Sequence, residues 1–176
     1  MTSTAPVVLD FRIHEATVLA GLVSELIEVV GAPELPDDDP LAAFEATSSL
    51  RPLRRDDPVI NRLFPSAYAD EDLDAEYRRL TQADARLSRD HDARLVLDDL
   101  HGALGGALRV RLADDHIDPW LRTLNALRVA IAARLGVVDD ETAERLEEVG
   151  PEDPDLPVVA AYHWLGYLLE VILDRL

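Results

Sequence analysis

Hydrophobic residues recur at helical spacing over most of the chain, and the most apolar stretch is the last one. Between Leu156 and Leu176, apolar side chains alternate at spacings of four and three, which places them on one face of a helix. Only His163 and Glu170 are strongly polar between residues 158 and 173. Because a helix that is apolar on most sides is typical of a core helix with several neighbours, this segment predicts a central helix. A membrane span needs about 20 predominantly apolar residues, so this shorter run with a mid-way glutamate favours a soluble domain.

Six further helices are predicted by periodicity and by start and stop signals. Three Asp-Pro pairs, at 39–40, 57–58 and 118–119, place a capping carboxylate before a proline at the first helical position. Glycines at 31 and 136 supply helix stops, and glycines at 102, 105 and 106 are expected to break the longest helix. With the C-terminal segment, the predicted helices are about 14–30, 40–44, 58–64, 71–100, 119–136, 139–149 and 156–176.

Two short runs have the pattern of β-strands. Residues 7–11 are apolar and β-branched, and residues 108–112 alternate between apolar and basic side chains. Each run is too short to be stable alone, so the two are expected to pair as a small ribbon. The predicted fold class is therefore mainly α: a single-domain bundle of about five to seven helices around the apolar C-terminal helix, with at most this two-stranded ribbon. Residues 1–6 are predicted to be disordered, and residues 7–176 to form one helical domain.

Composition narrows the classes of function. The net charge is −18 and the pI is about 4.4, so the surface repels nucleic-acid phosphates and anionic membranes, which argues against direct DNA binding and membrane association. All cationic residues except histidine are arginine, and there is no cysteine, which excludes lysine and thiol nucleophiles, disulfides and zinc-thiolate sites. The first residues lack a basic start and a long apolar segment, so a cytoplasmic location is expected.

Motifs for metal binding and catalysis are weak. His91, Asp98 and His101 would share a helical face, but two histidines ten residues apart lie about 15 Å apart along a helix axis, too far for one metal ion. The chain has no HExxH or GxSxG pattern, and the glycines at 102–106 are not followed by GK[ST]. We therefore predict no catalytic residue, no metal site and no cofactor.

Two groups of polar residues remain as candidates for binding. Asn125 and Arg128 interrupt an apolar helix, where they either satisfy buried partners or form a polar notch that binds a ligand. Arginines also alternate with aspartates along the long helix and in the preceding loop, as a solvated surface or as a partner-binding one. The arginines predicted to contact a partner are Arg54, Arg55, Arg78, Arg79, Arg86 and Arg89.

Several segments resemble an actinobacterial family, formerly a domain of unknown function, that takes its name from the oxidative-stress regulator AosR. The most specific are WLRTLNALRVAIAARLGV at 120–137 and YHWLGYLLEVILDRL at 162–176; RLFPSAYADEDLDAEYRRLT at 62–81 and DPLAAF at 39–44 fit more weakly. The resemblance covers most of the chain from the first predicted strand onward.

The resemblance implies a cytoplasmic regulator of transcription in the oxidative-stress response, linked to a neighbouring sulfur-assimilation cluster. It also implies redox-dependent association with an RNA polymerase sigma factor, switched by a disulfide within a Cys-x-x-x-Cys motif. This chain departs from the family there, since it has no cysteine. We therefore expect a non-enzymatic regulator that acts by protein contact without the thiol switch. The alternative is a ligand-binding or enzymatic domain that uses the notch at Asn125 and Arg128, and a homodimer is also expected.

Overall fold

The computed structural model describes residues 6–35, 39–106 and 108–176. The prediction of a disordered segment at 1–6 lies, except for Pro6, outside the described residues. The elements in chain order are β1 (Val8–Asp10), α1 (Ile13–Val30), α2 (Pro40–Ser48), α3 (Pro58–Leu63), α4 (Glu71–Leu104), β2 (Arg109–Arg111), α5 (Asp114–Arg134), α6 (Asp140–Glu144) with a 3-10 turn (Arg145–Glu148), and α7 (Leu156–Leu173). The predicted mainly-α fold with a small ribbon is confirmed.

Two of the three Asp-Pro signals begin a helix as predicted. The Asp39 carboxylate accepts hydrogen bonds from the backbone N–H groups of Leu41 and Ala42, both at 3.0 Å, and Asp57 accepts one from Val59 at 2.8 Å. The third signal is wrong, because α5 begins at Asp114 and contains Pro119 inside it. Pro119 lies in the second turn of α5, where its missing N–H removes one intrahelical hydrogen bond.

The two predicted strands pair as a ribbon. β1 and β2 are antiparallel, with Leu9 opposite Val110, and both of these side chains are buried. Backbone hydrogen bonds from Phe11 to Leu108 and from Leu112 to Val7 extend the pairing over 7–11 and 108–112. The ribbon therefore packs one apolar face against the helices, while Arg109 pairs with Asp10 at 2.6 Å on the exposed face.

The core lies between α1, α3, α5 and the C-terminal part of α4. α4 continues through Gly102 to Leu104, so the predicted break at Gly102 is wrong and the helix stops at the next glycines. Gly31, with φ +53°, ends α1 in the left-handed conformation, as its position predicted. The largest fully buried side chains are Trp120, Leu19, Leu100, Leu124, Leu165 and Ile172.

The apolar C-terminal helix is present as α7, but it has fewer neighbours than its pattern suggests. Within the described part of the chain it packs extensively against one other element, α5. Leu165, Leu168 and Ile172 are buried in that contact, whereas Tyr167 and Leu173 are more than half exposed. By length and composition alone α7 could also cross a membrane, a property that core helices of soluble proteins share, and 22% of it is buried.

Candidate functional site

Arg86 is buried and its side chain hydrogen-bonds to two other segments of the chain. Its side chain is 8% exposed, and its Nε donates to the backbone oxygen of Val30 at 2.7 Å while its Nη1 donates to that of Arg51 at 2.9 Å. Val30 is the last residue of α1, where carbonyl groups lack helical partners. Burial lowers the pKa of Arg86. This geometry ties α1 and the loop at Arg51 to α4 and leaves little of the guanidinium for a partner.

Arg89 is also drawn into the fold, although part of its surface remains open. Its Nη2 donates to the backbone oxygen of Leu63 at 2.8 Å, and its guanidinium lies 4.7 Å from the centre of the Phe64 ring. Among the described residues it forms no ion pair with a carboxylate. Burial lowers its pKa, against an opposing effect of Asp92. Arg89 is therefore a half-buried cation that lacks a direct counter-charge.

Arg78 and Arg79 differ although they are adjacent. Arg78 pairs with the buried carboxylate of Asp74, which also accepts the backbone N–H of Ala67 at 2.8 Å. Arg79 is 71% exposed and lies 3.8 Å from Glu76. Asp74 consequently anchors the start of α4 to the preceding loop, Arg78 neutralises that buried carboxylate, and Arg79 remains on the surface.

Of the two loop arginines, Arg54 is likewise exposed and Arg55 is bonded to the fold. Arg54 pairs with Asp56 at 2.8 Å, and both side chains are at least 70% exposed. Arg55 donates to the backbone oxygen of Phe64 at 3.0 Å and to the Ser66 hydroxyl. Of the six predicted arginines, the structure thus leaves Arg54 and Arg79 highly exposed, whereas Arg86 is buried and is not available on the surface.

An apolar stripe is exposed on the N-terminal half of α4. Leu73, Tyr77 and Leu80 lie at spacings of four and three on one helical face and are 55%, 44% and 63% exposed. The Tyr68 ring packs edge-on against Tyr77, with 5.7 Å between the ring centroids. We call Leu73, Tyr77 and Leu80 the outer α4 stripe. The spacing of these three residues places them on one face, but periodicity alone does not show that this face points to solvent.

The polar notch predicted at Asn125 and Arg128 does not form. Asn125 is exposed and lines a cavity, whereas Arg128 turns towards α7 and is not part of that lining. The Arg128 guanidinium lies 4.7 Å from the centre of the Tyr162 ring and packs over Gly166. A spacing of three would allow both side chains to face one site, but the contact with Tyr162 draws Arg128 towards α7.

The cavity next to Asn125 lies between α1, α3, α4 and α5 and has a volume of about 240 Å³. Asp92 in its wall is 5% exposed and accepts two hydrogen bonds from Arg122, at 2.7 and 3.1 Å. Hydrogen bonding to Asp92 raises the pKa of Arg122. Thr123 is 2% exposed, and its hydroxyl has no hydrogen-bond partner among the described residues. The complete lining is Leu26, Arg62, Leu63, Ser88, Arg89, Asp92, Arg122, Thr123, Asn125, Ala126 and Val129.

A carboxylate and a histidine meet where α4 and α5 cross. Asp99 Oδ2 lies 2.9 Å from His116 Nδ1 and accepts the indole N–H of Trp120 at 2.9 Å. Trp120 is fully buried, so its N–H needs such a partner. Sequence reasoning missed this contact because the residues are 17 and 21 positions apart and lie on different helices.

The residues considered for metal binding remain a weak set. His91, Asp98 and His101 lie on α4. Over residues 6–35, 39–106 and 108–176, no group of three or more histidine, aspartate or glutamate side chains is placed to hold a metal ion.

These features define a small, acidic, mainly helical protein with an exposed helical stripe and an arginine-lined cavity. The chain matches the family model described as "Domain of unknown function (DUF2017)" over residues 2–176, and it belongs to that family. It is also 25% identical, over 91% of its length and 77% of the relative's, to a Mycobacterium leprae (strain TN) protein whose name provisionally describes it as the oxidative stress regulator AosR. The predicted family resemblance is therefore confirmed. No solved structure matches the chain.

Proposed function

We propose that this protein is a non-enzymatic regulator in the oxidative-stress response that acts by binding a protein of the transcription machinery, such as a sigma factor. Its similarity to a relative named as an oxidative stress regulator supports the regulatory role. Regulation through contact with another protein fits the net charge of −18. An acidic protein is attracted to the basic surfaces of DNA-binding partners and is repelled by DNA itself.

The observation that carries the proposed contact is the outer α4 stripe. A helix that presents apolar residues at i, i+4 and i+7 is suited to lie in an apolar groove of a partner. Leaving three large apolar side chains exposed on one face is unfavourable unless another surface covers them. Arg79 and Glu76, on the same half of α4, are exposed and supply charges at the edge of such an interface. The contact surface we propose therefore overlaps the arginine-rich section predicted from sequence, but its centre is apolar.

The absence of cysteine determines how the contact would be regulated. A thiol–disulfide switch needs two thiols, and these 176 residues contain none. We therefore expect partner binding by this chain to be insensitive to peroxide acting on it directly.

Affinity capture from the source cells, with and without peroxide, tests this proposal. We expect a sigma factor or RNA polymerase subunits to be recovered with the unmodified protein under both conditions. The double variant Leu73→Gln/Leu80→Gln should lose most of that recovery, because it makes the stripe polar. The matched control is Ile13→Gln/Val138→Gln, which alters two side chains that are 65% and 71% exposed outside the stripe.

Three results would contradict the proposal. Recovery of no transcription protein in either condition would remove the proposed regulatory mechanism. Equal recovery by the stripe variant would remove the outer α4 stripe as the contact surface. Loss of the partner from the purified complex on adding peroxide would show a redox switch outside cysteine chemistry on this chain.

A further inference from the structure

We propose that the cavity between α1, α3, α4 and α5 binds a small organic anion through its carboxylate or phosphate group. The site is separate from the outer α4 stripe and does not depend on the regulatory role proposed above.

Charge is the first argument. In a chain with a net charge of −18, the residues that line this cavity include three arginines, Arg62, Arg89 and Arg122, and one acidic residue, Asp92. Asp92 is already engaged by two hydrogen bonds from Arg122. Arg122 also lies 4.0 Å from Asp118, so the local excess of positive charge rests on Arg89 and on Arg62, whose Nη2 donates to the backbone oxygen of Val137 at 2.6 Å.

Arg89 is the residue that an anion would satisfy best. It is half-buried, it donates to the backbone oxygens of Leu63 and Ala85, and within the described chain it forms no ion pair; the nearby charge of Asp92 is itself paired with Arg122. A cation that is withdrawn from water without a counter-charge is costly, so a bound oxyanion would offset that cost. Guanidinium groups suit this task because their planar array of N–H donors matches carboxylate and phosphate oxygens.

Neutral groups in the lining provide hydrogen bonds and an apolar wall. Ser88 and Asn125 contribute a hydroxyl and an amide, and the buried Thr123 hydroxyl lacks a partner in the described part of the chain. Leu26, Ala126 and Val129 contribute hydrocarbon, which suits an organic body behind the charged group. A few polar groups within apolar walls are typical of small-molecule sites.

The size of the cavity limits the ligand. Its volume of about 240 Å³ lies just below the usual range of ligand pockets, about 300–1,000 Å³. A short-chain carboxylate or a small phosphate ester fits this volume better than a nucleotide does.

Calorimetric titration and thermal unfolding of the full chain test the site, using inorganic phosphate, butyrate and glutarate as probes. Chloride at the same ionic strength is the reference, because simple screening would act equally for all anions. We expect saturable binding of at least one probe, with a midpoint of unfolding that rises with its concentration.

Variants locate the binding. Asn125→Asp places a negative charge at the exposed rim with almost no change in shape, and we expect it to weaken binding about tenfold or more, equivalent to a repulsion of about 1.4 kcal/mol. Arg62→Gln removes one exposed guanidinium of the lining and should weaken binding severalfold. The control is Arg79→Gln, which removes the same charge from an exposed position on α4 outside the cavity and should leave binding unchanged within about twofold.

The proposal is overturned if none of the three probes binds saturably, or if Asn125→Asp and Arg62→Gln bind a probe as well as Arg79→Gln does. Because Asn125 and Arg62 are exposed, we expect both variants to fold. Their unfolding transitions verify this before titration. A probe that binds the unmodified protein and Arg79→Gln but not Asn125→Asp supports the site.

Discussion

The two halves of α4 use the same kind of apolar pattern for opposite purposes. In the C-terminal half, Ala93, Val96 and Leu100 are completely buried against α1 and α5. In the N-terminal half, Leu73, Tyr77 and Leu80 are 44–63% exposed, and the buried members of that half are the charged residues Asp74 and Arg86. The comparison teaches that helical periodicity marks an apolar face but not what covers it. Burial of that face depends on which other elements reach it.

The largest expected difference between the halves is in stability. Leu100→Ala leaves a cavity among fully buried side chains and should lower the free energy of unfolding by about 2–5 kcal/mol. Leu80→Ala on the same helix removes the same atoms from an exposed position and should change it by less than about 0.5 kcal/mol. Urea unfolding of the two variants measures both values. Similar losses for both would mean that the outer α4 stripe is covered in solution.

A second comparison separates the arginines. Arg86→Met keeps an unbranched side chain but leaves the carbonyl group of the buried Val30 without this donor and removes one of the two side-chain donors to the Arg51 carbonyl, so we expect a loss of about 2 kcal/mol. Arg79→Met changes a largely exposed side chain and should cost less than about 0.5 kcal/mol. Equal stability of the two variants in denaturant would show that Arg86 does not connect α1 to α4 as described.

Two glycines give the smallest expected effects, with opposite signs. Gly102→Ala, within α4 and with nothing near the added methyl group, should stabilise the protein by about 0.5–1 kcal/mol. Gly31→Ala should destabilise it by about 1–2 kcal/mol, because φ is +53° and the added carbon would lie 3.4 Å from Arg86 Nη2. Thermal unfolding measures both shifts, and a stabilising Gly31→Ala would exclude the left-handed end of α1.

Local signals predicted much of the fold. The Asp-Pro caps at 39–40 and 57–58, the stop at Gly31 and the alternation in 108–112 depend on neighbouring residues, and the structure has the elements they indicate. The Asp118-Pro119 signal was wrong because α5 begins with Asp114, one turn earlier. The neighbours of α7 could not be predicted either, since its hydrophobic character does not say how many helices reach it.

The candidate site was much less predictable. Asn125 proved to line a cavity, but its proposed partner Arg128 faces Tyr162 on α7. The residues that do surround the cavity with Asn125, such as Arg62, Arg89 and Asp92, come from α3 and α4 and are more than 30 positions away in sequence. Such a cluster depends on how the helices pack, and no local motif records it.

Amide hydrogen exchange along α4, with and without the captured partner, tests the central claim most directly. The account predicts slow exchange over residues 92–104 in the free protein, faster exchange over residues 71–85, and a slowing confined to the N-terminal half when the partner binds. Equal protection of both halves in the free protein, or partner-induced protection elsewhere with none over 71–85, would contradict a helix divided into a core half and a binding half.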